Sequence, residues 1–371
     1  MSQLKKCVAL AMLTMVGSST TVFAQEVNHI PLATGLTLVS ATQLPSGDQE
    51  NVVTVGDVSP QGASYGWTFR TQNAGAVETG TFSRFVRVED LTAAPRLNPV
   101  FFSNDVDRFP GSTAFSISRV TLQKLKSGVS VPYSLATVDG AKLGTGWAGA
   151  TVGGFLKTRV YARGTLAPAQ TTVTHMSLLV NGHRSTVPVV HARGSFTLRD
   201  EKIEGDFVML DDDEHPLLLR VDIGGASFQM IRVDFPANDN RSAATSVEAD
   251  LASRCRAEIP GVYFEFRSAD LRAESDVALA EVGRALSTHP DWTLSIEGHT
   301  DAVGSAAANL ALSQRRAEAV RAALSTRYHV AASRLTAAGF GQTKPREPNT
   351  SLEGRARNRR VEMVRACSAR L

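Results

Sequence analysis

Between Glu26 and Pro236, apolar and polar residues alternate in short runs, the period of a strand with one buried face. Residues 52–55, 82–88, 115–120 and 230–235 all follow it. Pro45-Ser46-Gly47-Asp48, Asp139-Gly140 and Asn181-Gly182 interrupt the runs with turn-forming residues. No long stretch of this half keeps helical spacing. Many short strands broken by turns predict an all-β domain over residues 25–236, a sandwich, barrel or jelly roll.

Past Pro236 the period changes. Residues 237–250 are polar and small, the composition of a linker. From 251 to 371, strand and helix signals alternate. Residues 262–266 predict a short strand, and Val277, Leu279, Val282 and Leu286 fall at helical spacing. Residues 292–297 alternate again, and Leu310, Ala317, Val320 and Leu324 return to the helical period. Residues 335–340 and 361–364 supply two more strands. This β-α-β-α-β order with a closing strand predicts helices packed on one mixed sheet, so the chain as a whole reads as α+β.

The first 24 residues have the pattern of an export signal. Lys5 and Lys6 precede an apolar run from Cys7 to Val16, and Val22-Phe23-Ala24 resembles a cleavage site. The run is shorter than the roughly 20 residues a spanning helix needs. The mature chain is therefore expected in an oxidising compartment, with Cys255 and Cys367 as its cysteines. That even pair predicts one disulfide, and no His or further Cys stands near it at metal-ligand spacing. Lys5 and Lys6 also supply two of the three net positive charges of the 371 residues, which leaves no nucleic-acid footprint.

The chemistry concentrates where the second C-terminal strand gives way to a helix. Glu297-Gly298-His299-Thr300-Asp301, followed by Gly304, brings backbone and a carboxylate to one turn. Asn309, Ser313 and Arg316 then share one helix face. Gly339-Phe340-Gly341, Pro345, Asn349 and residues 354–362 continue the pattern in order. Together these motifs resemble the OmpA-like peptidoglycan-binding domains of Gram-negative cell envelopes, over nearly all of residues 251–371.

The resemblance implies a periplasmic, wall-associated protein, close to the outer membrane, whose ligand is the diaminopimelate of the peptidoglycan stem peptide. Asp301 is expected to accept from the ligand ammonium and Arg316 to fork onto its carboxylate. Thr300 and Asn309 are expected beside them, and His299, Arg267, Arg359 and Arg360 around the rim or behind it. Arg267 departs from the family pattern, where a small or amide residue is usual. Asp301 also has a purely local reading, as N-cap of the helix that follows.

In the N-terminal half, His175, His183, His191 and His215 and the run Asp211-Asp212-Asp213-Glu214 are the chemistry-bearing residues. Their spacing fits no metal or calcium-loop motif, and the acidic run before Pro216 predicts an exposed hairpin turn. Ser64 and Ser195 lack a nucleophile-elbow context. The expectation is a non-enzymatic binder without metal or cofactor, with the β-domain available to other envelope proteins. Two rival expectations are catalysis in the β-domain and a membrane β-barrel ahead of the C-terminal module.

Overall fold

The computed structural model describes residues 25–44, 47–73, 76–99, 106–138, 159–170, 172–236 and 247–367. The segment expected as export signal, most of the expected linker and the expected Asp139-Gly140 turn lie outside them.

The first strands, β1 (Gln25–Glu26), β2 (Thr37–Leu44), β3 (Gly47–Ser59), β4 (Gly62–Asn73) and β5 (Ala76–Arg87), hold the predicted 52–55 run and all but Val88 of the predicted 82–88 run. A short helix α1 (Val88–Ala93), strands β6 (Arg96–Leu97) and β7 (Val106–Arg108) and helix α2 (Arg119–Lys126) follow. The remaining strands are β8 (Val131–Val138), β9 (Arg159–Pro168), β10 (His175–Val180), β11 (His183–Leu198), β12 (Glu201–Leu210), β13 (Leu218–Ile223) and β14 (Ala226–Asp234). The alternating run at 115–120 is therefore no strand. Ser118 accepts from Thr121 N and caps α2, so the chain turns helical there.

These fourteen strands pair into one continuous sheet, not the two separate sheets of a sandwich. Strand β10 pairs with both β11 and β14, so β10 to β14 close a ring. Register shifts at Val55/Val58, Val208/Met209 and Met230/Arg232 are the bulges that let a sheet bend. The bent sheet encloses one core in which Tyr65, Trp67 and Phe82 join Phe115, Phe196 and Phe207. Apolar side chains thus face inward, and the exposed large ones among the described residues, such as Val58, Val129 and Val173, are scattered. A lipid-facing barrel needs the reverse.

The acidic turn is less exposed than its composition predicts. Asp212 is buried and accepts from Ile30 N, Glu214 N and His215 N, while Lys126 pairs with Asp211 and Asp213.

The C-terminal half is α3 (Val247–Arg254), β15 (Arg256–Glu258), α4 (Asp276–Thr288), β16 (Leu294–Gly298), α5 (Ala306–Arg327), β17 (Leu335–Gly339), α6 (Leu352–Asn358) and β18 (Val361–Arg365). Residues 247–250, predicted as linker, are the first turn of α3, because Val247 and Leu251 are buried in the C-terminal core. The sheet runs β15-β18-β16-β17, with only β16 and β17 parallel. Residues 262–266 do not form the first strand. Arg256–Glu258 take that edge, and Tyr263 N donates instead to Ser275 Oγ at 2.8 Å. Val277 and Leu310, expected inside, are exposed; the buried face of α4 runs through Leu279, Val282 and Leu286.

A disulfide joins Cys255 to Cys367 across 112 residues, with Cα atoms 6.0 Å apart. Closing so long a loop removes chain entropy from the unfolded state worth about 4.7 kcal/mol. Reduction, or a Cys255→Ser/Cys367→Ser variant, is expected to lower the urea midpoint of the C-terminal domain accordingly. An unchanged midpoint would mean that Arg365, donating to Cys255 O and Leu251 O, already pins the two ends.

The two halves dock against each other. Tyr263 and Leu352 enter an apolar cluster with Val39, Ala41, Val52 and Ile231. Around it, Tyr263 Oη donates to Asp234 at 2.8 Å, Arg272 donates to Thr68 O at 2.5 Å, and Ser177 donates to Glu353 at 3.0 Å.

Candidate functional site

Two glycines set the distance between sheet and helix here. A Cβ on Gly298 would lie 2.2 Å from Ser313 O, and one on Gly339 would lie 2.4 Å from Gln314 N. Without them, α5 sits directly over the ends of β16 and β17. This close approach explains why the buried face of α5 begins with polar residues, Asn309 and Ser313. Ser313 Oγ accepts from Gly341 N at 2.8 Å and donates to Leu310 O at 2.8 Å.

The turn between β16 and α5 is held from inside. Asn309 Nδ2 lies 3.1 Å from Asp301 O, 3.2 Å from Val303 O and 2.8 Å from Gln342 Oε1. Thr300 donates its N–H to Gly341 O at 2.9 Å and its hydroxyl to Asp301 O at 2.9 Å. Both residues border the cavity, but these donors are engaged by the protein, so they frame the site. Ser305, not Asp301, caps α5, accepting from Ala308 N at 3.2 Å.

The cavity in front of this turn has a volume of about 400 Å³ and is lined by Asp301, Asn309 and Arg316 together with the loop from Val262 to Arg267. Asp301 is buried, with Oδ1 accepting from Val303 N at 3.0 Å and Oδ2 from Arg359 Nη1 at 2.5 Å. Arg316 is held differently. Its Nε donates to Ser268 O at 2.9 Å, and its guanidinium lies 4.7 Å over the Phe264 ring. Among the described residues it has no carboxylate at ion-pair distance. Burial lowers its pKa to about 10 although Glu50 and Asp301 pull the other way, so it remains a cation at neutral pH. Arg267 lies on the exposed rim with φ at 55°.

Arg359 also lines the cavity, and its partners come from both halves. It donates to Asp301, to Asp48 at 3.2 Å and through Nε to Glu50 at 2.8 Å. Arg355 forks onto Asp48 with Nε at 2.6 Å and Nη2 at 2.9 Å. Burial alone would lower the Arg359 pKa, but Glu50 and Asp301 more than offset this and hold it above its ordinary value.

His299 and Arg360, expected at the rim of the site or behind it, do not line the cavity and belong to a separate buried cluster. Glu297, His299 and Glu362 converge there, with potential ligand atoms within 4.8 Å of one another. Arg360 donates to Glu362 at 2.6 Å, Arg256 reaches both carboxylates and Arg346 reaches Glu362, so their charge is already answered by arginines. His299 stacks on Phe340, and both its ring nitrogens are buried without a hydrogen-bond partner. Burial lowers its pKa to about 4, helped by Arg360.

Sequence reading missed Asp48 and Glu50, roughly 250 residues from the turn they face, because no local pattern marks them. Phe264, the floor under Arg316, was read as a strand residue.

The comparisons agree on the C-terminal half. The model of the OmpA family matches residues 263–359. Outer membrane porin F of Pseudomonas aeruginosa is 40% identical over 101 residues, which are 27% of this chain and 29% of that protein. The peptidoglycan-associated lipoprotein of Agrobacterium fabrum is 33% identical over 103 residues, 28% of this chain and 58% of the relative. The chain thus spans under a third of the length of the porin and less than two thirds of the lipoprotein. Among solved structures, the peptidoglycan-associated lipoprotein of Burkholderia pseudomallei is 36% identical, covering 28% of this chain and 88% of that one, with a TM-score of 0.27.

Proposed function

Because the chain carries an OmpA-family domain at residues 263–359, in a protein of the periplasm at the cell wall and near the outer membrane, we propose that it binds peptidoglycan non-covalently through the diaminopimelate of the stem peptide. The supporting observation is the pairing of opposite charges in one cavity. Asp301 presents a carboxylate, and Arg316 presents a desolvated guanidinium that no protein carboxylate neutralises among the described residues. The free end of diaminopimelate carries an ammonium and a carboxylate on one carbon and answers both. A lysine-type stem peptide lacks that carboxylate and leaves Arg316 unanswered.

Hydrogen bonds to charged groups contribute about 1.5–3 kcal/mol each. Two or three of them, less the cost of ordering the peptide, correspond to affinities from about millimolar to micromolar per site. Binding of this strength tethers the β-domain to the wall without a covalent link. The β-domain itself is read as the tethered partner and not as a catalyst. Its histidines have structural partners: His215 donates to Ile30 O inside the core, His29 pairs with Asp212 at 2.8 Å beside it, and His175 sits at the surface beside Thr174.

The test is retention of the mature chain on purified diaminopimelate-type sacculi. Asp301→Asn keeps the shape and removes the charge, and it is expected to reduce the retained fraction at least tenfold at unchanged circular dichroism. Retention equal to that of the wild type would remove Asp301 from the site.

A further inference from the structure

The wall of the cavity is not supplied by the OmpA-family domain alone. It carries four arginines, Arg267, Arg315, Arg316 and Arg359. The C-terminal domain answers them with Glu265 and Asp301 only, a surplus of two positive charges. Asp48 and Glu50, on the same face of β3 of the N-terminal domain, add two carboxylates to that wall; Arg355 behind it shares Asp48, so Glu50 is the added charge that faces the cavity.

Their placement is fixed by contact. The Asp48 side chain is 2% exposed and bonded to both Arg355 and Arg359. Glu50 accepts from Arg359 yet keeps 30% of its side chain exposed, toward the cavity it lines. The N-terminal domain stands beside the cavity without filling it, since about 400 Å³ remain open with the two halves docked. Arg359 matters most here. With Asp48 and Glu50 present it is shared among three carboxylates; without them it would belong to Asp301 alone and neutralise the group that must accept the ligand ammonium.

We propose that the N-terminal domain completes the ligand site: Asp48 and Glu50 offset the arginine surplus of the cavity and draw Arg359 off Asp301, matching the cavity to a zwitterionic amino-acid end, so that ligand binding and docking of the two domains reinforce each other. This rests on the peptidoglycan reading above and adds a selectivity to it. A cavity with two surplus positive charges favours a simple anion. A cavity whose surplus is offset by carboxylates at a separate position favours a zwitterion, because both charges of the ligand find a partner and neither is left desolvated. By linkage, a ligand that needs the docked wall must also tighten docking by the same factor.

The experiment uses the full mature chain and two probes of equal carbon number in calorimetry. meso-Diaminopimelate carries the zwitterionic ends, and pimelate has the two carboxylates without the ammonium groups. Wild type is expected to prefer diaminopimelate at least tenfold. Glu50→Gln, nearly isosteric and at a half-exposed position, is expected to weaken diaminopimelate about tenfold while leaving pimelate unchanged or tighter. Equal weakening of both probes would assign Glu50 a structural part only and overturn the proposal. Unchanged affinity for both overturns it as well, and tightening of both would make β3 an obstruction instead of a wall. If wild type binds diaminopimelate and Arg316→Ala does not, those last outcomes leave the peptidoglycan reading standing. If wild type binds neither probe, that reading fails and this proposal fails with it.

Discussion

Arg316→Ala is expected to lower affinity for diaminopimelate about a hundredfold and to abolish retention on sacculi, with no loss of fold stability. The two halves of this expectation have one cause. The guanidinium is desolvated, stands among Glu50, Arg359, Asp301 and Arg315 without an ion pair, and among the described residues donates only to a backbone carbonyl. Its removal relieves a charge that the fold has not paired, so thermal stability should stay level or rise. A ligand carboxylate is what the group lacks. Two charge-assisted hydrogen bonds from the free nitrogens are worth about 3 kcal/mol together after desolvation, which is roughly two decades in affinity.

Arg316→Lys sharpens the test. Lysine keeps the charge but cannot hold Ser268 O, lie flat on Phe264 and fork onto a carboxylate at once. It should recover about half of the lost binding free energy, which leaves it about tenfold below wild type. A lysine variant that binds as tightly as wild type would reduce Arg316 to a point charge. An alanine variant that does so would place the ligand elsewhere.

How much of this was legible in the sequence follows from the range of the forces involved. In the C-terminal half α4, β16, α5, β17 and β18 were readable because each buries a face at its own period, and the turn motif places Asp301 and Arg316 on adjoining elements. Their common cavity was therefore within reach of local pattern. Leu310 misled the helix reading because two glycines let α5 approach the sheet so closely that Asn309 and Ser313, and not a leucine, fit beneath it. The segment at 262–266 has the alternation of a strand, but edge pairing is decided by the partner strand, and β18 took Arg256–Glu258.

In the N-terminal half, alternation located β3, β5 and β14 and could not give the path of the sheet. The closed ring depends on β10 meeting β14, a pairing between residues 50 or more apart. Long-range contacts of this kind, like Asp48 and Glu50 at the cavity, leave no trace in a window of ten residues. His299 shows the converse. Its motif position is conspicuous, yet its ring serves the packing against Phe340 and not the ligand.

Acidification supplies the second large expected effect. His215 and His299 are both neutral in the folded protein, each with a pKa lowered to about 4 from 6.5, chiefly by burial. Their surroundings explain why a proton is unwelcome. His215 donates from Nδ1 to Ile30 O, leaving Nε2 buried without a hydrogen-bond partner; His299 has no hydrogen bond at either nitrogen, and the pull of Glu297 and Glu362 on a proton is countered by Arg360, Lys344 and Arg256. Above pH 6.5 neither folded nor unfolded chain protonates them, so their contribution to stability is complete. As pH falls from about 6.5 toward 4, the unfolded chain takes up protons that the folded one refuses. Stability is then lost at up to about 1.4 kcal/mol per pH unit for each histidine, or about 3 kcal/mol each over the window. Glu362 extends the loss below it: burial raises its pKa, but Arg360 and Arg346 hold it down at about 2, so its contribution disappears between about 4.5 and 2. Thermal melts at pH 7 and pH 5 should therefore show a marked fall in midpoint for wild type. His299→Phe, which keeps a ring on Phe340 and cannot titrate, is expected to remove the C-terminal share of that fall and leave the N-terminal share. His215→Asn should do the opposite. Equal midpoints at pH 7 and pH 5 in the wild type would mean that both rings find a proton acceptor in the folded state, and that neither pocket is as dry as its packing indicates.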